Sequence, residues 1–262
     1  MTRRFLLFAS TVLFAVSGVF TSCNDDDDTP DYSNQIVGQW LFTDENNTND
    51  SYVISFGSNK KMNFISAVEI SESHGYQWYT SADLPYTLNG DMLEISGKVE
   101  SGIEFYNKIR INSIKDGVVN FTSLEYSLDG VRIPAQENVT YSVEKTSDNS
   151  SALLGVWRGV EPGSDETLFF YVLKANHAIG FYESGEDDSW TYYAYEKYYS
   201  YGHFIALLWK ETTEESAPNF FDGYVWEKED ENTLLFINKK NGAIDESFVL
   251  IRAEESELPV IE

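Results

Sequence analysis

The sequence predicts an all-β fold of two tandem, small, antiparallel up-and-down β-barrels, and three observations carry that prediction. First, a short pattern occurs twice: Ile36-Val-Gly-Gln-Trp40 and Leu153-Leu-Gly-Val-Trp157 stand 117 residues apart. The same offset relates Phe56 and Asn59 to Leu173 and Asn176, and Met62 and Phe64 to Ile179 and Phe181, with no gap from Ile36 to Phe64. A fixed offset over such a length marks a duplicated unit. Second, apolar residues alternate with period two, the spacing of a half-buried strand and not of a helix. Third, glycine-containing turn dipeptides punctuate the alternating runs. A chain of 262 residues accommodates two domains of roughly 100–120 residues, each able to bury its own core.

In the first domain, residues 35–146, Tyr52, Ile54 and Phe56 make one strand, and Met62 and Phe64 follow the turn Ser58 to Lys61. Leu84 to Leu88 and Leu93 to Ile95 flank Asn89-Gly90, a dipeptide suited to a hairpin with two positive-φ residues. Ile109 and Ile111 run into Lys115-Asp-Gly117, from which Val119 and Phe121 return, and Val139, Tyr141 and Val143 close the domain. A polar linker spans 147–152. The second domain, 153–253, repeats the plan with strands near 168–173, 178–182, 190–199, 203–209, 224–227, 234–238 and 248–252, with a tight turn at Asn241-Gly242. An acidic tail occupies 254–262. About eight short, sequentially connected strands per domain leave two edges, and curling the sheet until its ends meet removes both.

The amino terminus is read as a processing segment. Arg3-Arg4 precedes a largely apolar run from Phe5 to Phe20, shorter than the roughly 20 residues of a spanning helix. The sole cysteine, Cys23, follows Thr21-Ser22. The arrangement resembles a bacterial lipoprotein signal peptide, residues 1–22, in which Cys23 becomes the lipidated first residue. Residues 23–34 form a tether carrying Asp25 to Asp28, and this run resembles the acidic signal that sends Bacteroidota lipoproteins to the cell surface. The resemblance implies an outer-membrane protein, anchored by its N-terminal lipid and exposed at the cell surface. With Cys23 acylated, no thiol remains for a disulfide. The formal net charge of −25 excludes nucleic acid and anionic membrane surfaces as natural partners. The acidic surface also argues against a membrane-spanning barrel.

Gly38-Gln-Trp40 and Gly155-Val-Trp157, each opening a meander, resemble the Gly-x-Trp signature of lipocalins, and the duplicated units are similar to the lipocalin-like domains of Bacteroidota lipoproteins. The resemblance covers Ile36 to about Arg252. It implies that each tryptophan plugs one barrel end under a basic residue from a late strand. Lys145 and Arg252, near the ends of the last strands, are the candidates. First and last strands are neighbours in a closed barrel, so Lys145 is expected over Trp40 and Arg252 over Trp157.

Catalytic chemistry has few candidates, and the expectation is a binding protein without turnover. His74, His177 and His203 lie in separate elements, and His177 sits in a turn where exposure is expected. No Cys/His spacing suits zinc, no glycine-rich loop suits phosphate, and no cofactor is implied. Glu186 to Asp188 and Glu214-Glu215 read as solvated loops. The stronger lead is the aromatic band from Trp190 to Trp209, in which strand alternation separates Trp190, Tyr192 and Tyr198 from Tyr193, Tyr195 and Tyr199. Such side chains serve equally as barrel filling or as a ligand wall. Tyr76 and Trp78 precede Tyr193 and Tyr195 by the same 117 residues, so these four are the candidate pocket residues. The expected ligand is a small apolar or amphipathic molecule or a glycan. Two alternatives stand beside it. One is a scaffold with filled barrels that meets an envelope or host protein. The other is a carboxylate-dependent hydrolase.

Overall fold

A computed structural model describes residues 31–71, 73–99, 102–133, 139–185, 189–195, 197–210 and 218–261, with the backbone alone of 194 and 195. The leader, Cys23, the tether up to residue 30 and the carboxylates at 186–188 and 214–215 lie outside the described residues. Among those described, the regular structure is strand and short 3-10 turns. The first half contains β1 (Gly38–Phe42), β2 (Tyr52–Phe56), β3 (Lys61–Ser71), β4 (Gly75–Thr80), β5 (Leu84–Asn89), β6 (Met92–Lys98), β7 (Glu104–Lys115), β8 (Val118–Leu128), β9 (Val131–Arg132) and β10 (Thr140–Thr146). The second half contains β11 (Gly155–Val160), β12 (Thr167–Leu173), β13 (Ile179–Ser184), β14 (Trp190–Tyr195), β15 (Lys197–Tyr201), β16 (Phe204–Trp209), β17 (Phe220–Asp230), β18 (Thr233–Lys240) and β19 (Ala243–Ala253).

The first sheet closes on itself. Its strands follow the order β10-β1-β2-β3-β5-β6-β7-β8, and β10 pairs back to β8, which makes a ring of eight antiparallel strands with β4 and β9 as side pairings. The turns differ in kind. Asp116-Gly117 and Asn241-Gly242 have positive φ at both residues, as a two-residue hairpin loop favours. At Asn89-Gly90 the expectation fails. Asn89 pairs with Met92, so the loop is Gly90-Asp91, and only Gly90 has positive φ.

The second sheet is curled but does not close, which corrects the expectation of two closed barrels. Its order is β14-β13-β12-β11-β19-β18-β17-β16-β15, so its first and last strands do meet at β11 and β19 and the gap falls between β14 and β15. The reason lies in how the edge of the third strand is used. In the first unit, Lys61 and Met62 at the start of the long β3 pair with Pro85 and Leu84 of β5. In the second, β14 pairs along all of β13, from Ile179↔Tyr195 to Ser184↔Trp190, and no edge is left for β15. What survives is the contact beside that edge. Tyr86 N–H donates to Lys60 O at 2.9 Å in the first unit, and Tyr198 N–H donates to His177 O at 2.8 Å in the second. Lys60 and His177, 117 residues apart, both have positive φ. The Tyr86 hydroxyl donates to Gly57 O and the Tyr198 hydroxyl to Lys174 O, another pair at that offset. Burial pushes the Tyr198 hydroxyl up to about 12, with Asp148 adding to the effect, so it remains a donor at neutral pH. His177 is therefore half-buried and stacked on Tyr199 at 5.0 Å, where an exposed turn residue was expected.

The compact units of the structure differ from the contiguous 35–146 and 153–253 that the sequence suggests. One comprises the described residues up to Phe42, of Ile54–Ile65 and of Thr80–Lys145. The other comprises Thr43–Val53, Ser66–Tyr79 and Thr146–Glu262. Polar side chains explain the membership of 43–53 in the second unit. Fully buried Thr48 donates its hydroxyl to Gly223 O at 2.6 Å, and Asn49 Oδ1 accepts from Gly223 N–H at 2.7 Å.

Both opening tryptophans are almost fully buried, and each indole N–H donates at 2.7 Å to a carbonyl four residues earlier, Trp40 to Ile36 and Trp157 to Leu153. Over each ring stands a cation: Lys145 Nζ is 5.8 Å from the Trp40 ring centre, and the Arg252 guanidinium is 4.2 Å from that of Trp157. Trp157 and Arg252 are direct cross-strand partners, and Arg252 Nη1 also donates to Leu154 O at 2.6 Å. A cation–π contact made by a solvent-exposed cation contributes about 0.5–1 kcal/mol, and a charge-assisted hydrogen bond adds to it. Arg252→Ala is therefore expected to lose about 1–2 kcal/mol in urea unfolding and Lys145→Ala about 0.5 kcal/mol. Equal losses, or a larger loss at Lys145, would contradict this reading of the two closures.

Candidate ligand cleft

Alternation along the strands of the second sheet sends one face inward. Trp157, Tyr171, Phe181, Tyr224, Phe236, Phe248 and their aliphatic neighbours form its core, with Phe169, Tyr193 and Trp226 packed against it. The aromatic rings meet edge-on or tilted, as at Phe169–Phe248 (5.0 Å) and Tyr224–Phe248 (5.3 Å), a geometry that their quadrupoles favour. Beside this core lies a cleft of about 370 Å³, within the range of small-molecule sites. Its walls carry Tyr171, Phe181, Tyr193, Trp209 and Tyr224, with Glu183, Lys210, Asp222 and Glu246 among them.

The acidic residues enter by strand phase. Glu183 lies two residues after Phe181, Asp222 two before Tyr224 and Glu246 two before Phe248, so each shares a face with a core aromatic. The cross-strand register agrees, since Asp222 faces Leu207 and Phe181 faces Tyr193. Asp222 accepts a hydrogen bond from Trp209 Nε1–H, and Trp209 stacks on Phe220 at 4.8 Å, so the indole is fixed at its edge and on one face. The Tyr224 hydroxyl donates to Glu246 Oε2 at 2.6 Å. Burial, with the neighbouring Tyr171, Asp222 and Glu246, holds the Tyr224 phenol far above its ordinary value, so it stays a donor. Burial also raises the Asp222 carboxyl. Glu246 and Asp245 push the same way, while the Trp209 bond and Lys240 oppose it.

Comparison with family models, curated proteins and solved structures returns no match.

Of the four candidate pocket residues, Tyr193 lines the cleft. The Tyr195 backbone pairs with Ile179, and its side chain lies outside the described residues. Tyr76 and Trp78 belong to the second unit but pack elsewhere in it, Tyr76 against Phe221 at 5.8 Å and Trp78 stacked on Tyr199 at 4.8 Å. The division of the aromatic band into two faces is interrupted, because Trp190 and Tyr198 lie on different strands: Tyr198 is fully buried, while Tyr192 is partly exposed and packs on Tyr182. Asp222, Glu246, Glu183, Tyr224 and Lys210 went unnoticed as site residues. Their signal was phase, an acidic residue on the same strand face as buried aromatics. Each histidine is engaged locally: His74 with Ser71 and Ser73, His177 with Tyr198 O, and His203 with Thr43. Among the described residues, no three His, Cys, Asp or Glu side chains group to hold a metal.

The raised Asp222 carboxyl gives a pH test. Its proton is held more tightly in the folded than in the unfolded chain, so this group's contribution to stability falls as pH rises from the ordinary value of 3.8 through the raised one. Asp222→Asn removes that loss, and its stability relative to the parent chain is expected to improve between pH 4 and pH 7 in urea unfolding. A difference that does not change with pH would contradict the assignment.

Proposed function

We propose that this chain is a lipid-anchored outer-membrane lipoprotein of the Bacteroidota kind, exposed at the cell surface, whose second unit binds a small apolar or amphipathic molecule or a glycan without turnover. The observation that carries the binding part is the cleft of about 370 Å³, walled by fixed aromatic rings and a few oriented polar groups, the usual make-up of a small-molecule site. The open seam between β14 and β15 supports it, since a fully closed and filled ring of strands would leave less room. The envelope address is supported by the leader, Cys23 and the acidic run that follows.

A second reading has one observation in its favour. Asp222, whose carboxyl is raised by burial, and Glu246 share the cleft, and a carboxylate-dependent hydrolase works with a pair of carboxyl groups at one site.

Native mass spectrometry of the purified mature chain tests the binding proposal. A retained small molecule that is lost in Tyr193→Ala supports it, whereas a chain that never carries or takes up a ligand counts against it. Recovery of a cleaved ligand from the parent chain, and of intact ligand from Asp222→Asn, would favour hydrolysis. Incorporation of a fatty-acid analogue that is abolished in Cys23→Ala is the expected result for the anchor, and unchanged labelling of that variant would refute it.

A further inference from the structure

The cleft has a polarity that narrows the ligand class, an inference resting on the reading of the cleft as a binding site. β17 and β19 both flank β18 and run in the same direction, while β13 is antiparallel to β12, which pairs with β11, itself antiparallel to β19. β13 therefore runs opposite to β17 and β19. Glu183 follows its core aromatic, whereas Asp222 and Glu246 precede theirs, so strand direction puts all three carboxylates on the same side of the aromatic tier. Two residues of strand separate the tiers by about 7 Å. The result is an apolar floor with an acidic tier above it.

Charge and hydrogen-bond capacity agree on what suits that tier. Among the described lining residues, three carboxylates stand against the single ammonium of Lys210. Two of the donors, Trp209 Nε1–H and the Tyr224 hydroxyl, are already spent on Asp222 and Glu246. A sugar ring needs donors and acceptors together, whereas an organic cation needs only acceptors and π faces. The chain's overall negative charge draws cations toward it. The duplication adds an independent observation. Both halves of the sequence keep the buried tryptophan, the glycine before it, and the tyrosine with its turn, yet the positions of Tyr171 and Glu183 hold Ile54 and Ser66 in the first half. The polar tier is a departure from the shared framework, not a part of it.

We propose that the cleft selects an amphiphile with a cationic, ammonium-type head, its apolar body against Tyr171, Phe181 and Tyr193 and its head among Glu183, Asp222 and Glu246.

Calorimetric titration of the full mature chain with three dodecyl probes below their micelle concentrations tests this: dodecyltrimethylammonium, dodecyl maltoside and dodecanoate. The cationic probe is expected to bind about tenfold more tightly than either of the others, as expected when a charge meets a complementary cleft. The preference should shrink severalfold in Asp222→Asn and in Glu246→Gln, with maltoside affinity unchanged. Glu183→Gln, at an exposed side chain, provides a variant whose folding is not at stake, and the same loss is expected there. Equal affinity for the three probes, or a preference for maltoside or dodecanoate, would overturn the cationic head while leaving the cleft a binding site. Failure of all three to bind would overturn both the inference and the binding proposal beneath it.

Discussion

Each unit depends on satisfying one indole N–H in an apolar interior. A buried tryptophan contributes a large apolar area, but its N–H must find an acceptor or forfeit much of that gain. Here the acceptor is a carbonyl four residues earlier, Ile36 for Trp40 and Leu153 for Trp157, and the bond ties the entering chain to the first strand. Gly38 and Gly155, between carbonyl and ring, both have positive φ, which lets the chain turn so tightly. At Gly155 a Cβ would also meet Arg252 Nη1 at 2.5 Å, so the missing side chain makes room for the guanidinium above the ring. The duplicated sequence pattern thus encodes a complete local device of acceptor, turn, ring and covering cation.

The same framework yields two different outcomes. Both units retain the positive-φ turn and the tyrosine that reaches back to it, but only the first continues the contact into a ladder. The difference is one of strand economy. The eleven residues of β3 are shared between β4 and β5, whereas the six residues of β13 are fully used by β14. Three residues separate β4 from β5, while a single residue separates β14 from β15, which leaves the chain little slack to slip past. The cleft takes its walls from β12, β13, β14, β16, β17 and β19, strands that lie on either side of the open seam.

Much of this was legible in the sequence because it is local or set by topology. Period-two alternation, the repeated Gly-x-Trp and the glycine turns give strands and their order. The adjacency of first and last strands in a ring leads directly to Lys145 and Arg252. The open seam was not legible, since the tyrosine-rich run from Trp190 to Tyr201 alternates equally well whether its second half pairs with β13 or turns away. Nor was the membership of Thr48 and Asn49 in the second unit, because a buried threonine hydroxyl looks in sequence like any loop threonine. Asp222 and Glu246 did not stand out because acidic residues abound in this chain, and their phase with Tyr224 and Phe248 carries meaning only once those aromatics are known to face inward.

The polar stretch at 147–152 reads by composition as a spacer, yet it finishes the fold. Asn149 N–H donates to Ser200 O, Ser200 N–H to the Ser150 hydroxyl, and Asp148 forms a bridge with Tyr201, so these residues cover the margin of β15 that no neighbouring strand takes. A fragment begun at Leu153, the natural choice for dissecting the protein, would strip that margin bare and present a ready template for intermolecular β-pairing. The place where the chain looks easiest to cut is therefore where its second half is sealed against self-association.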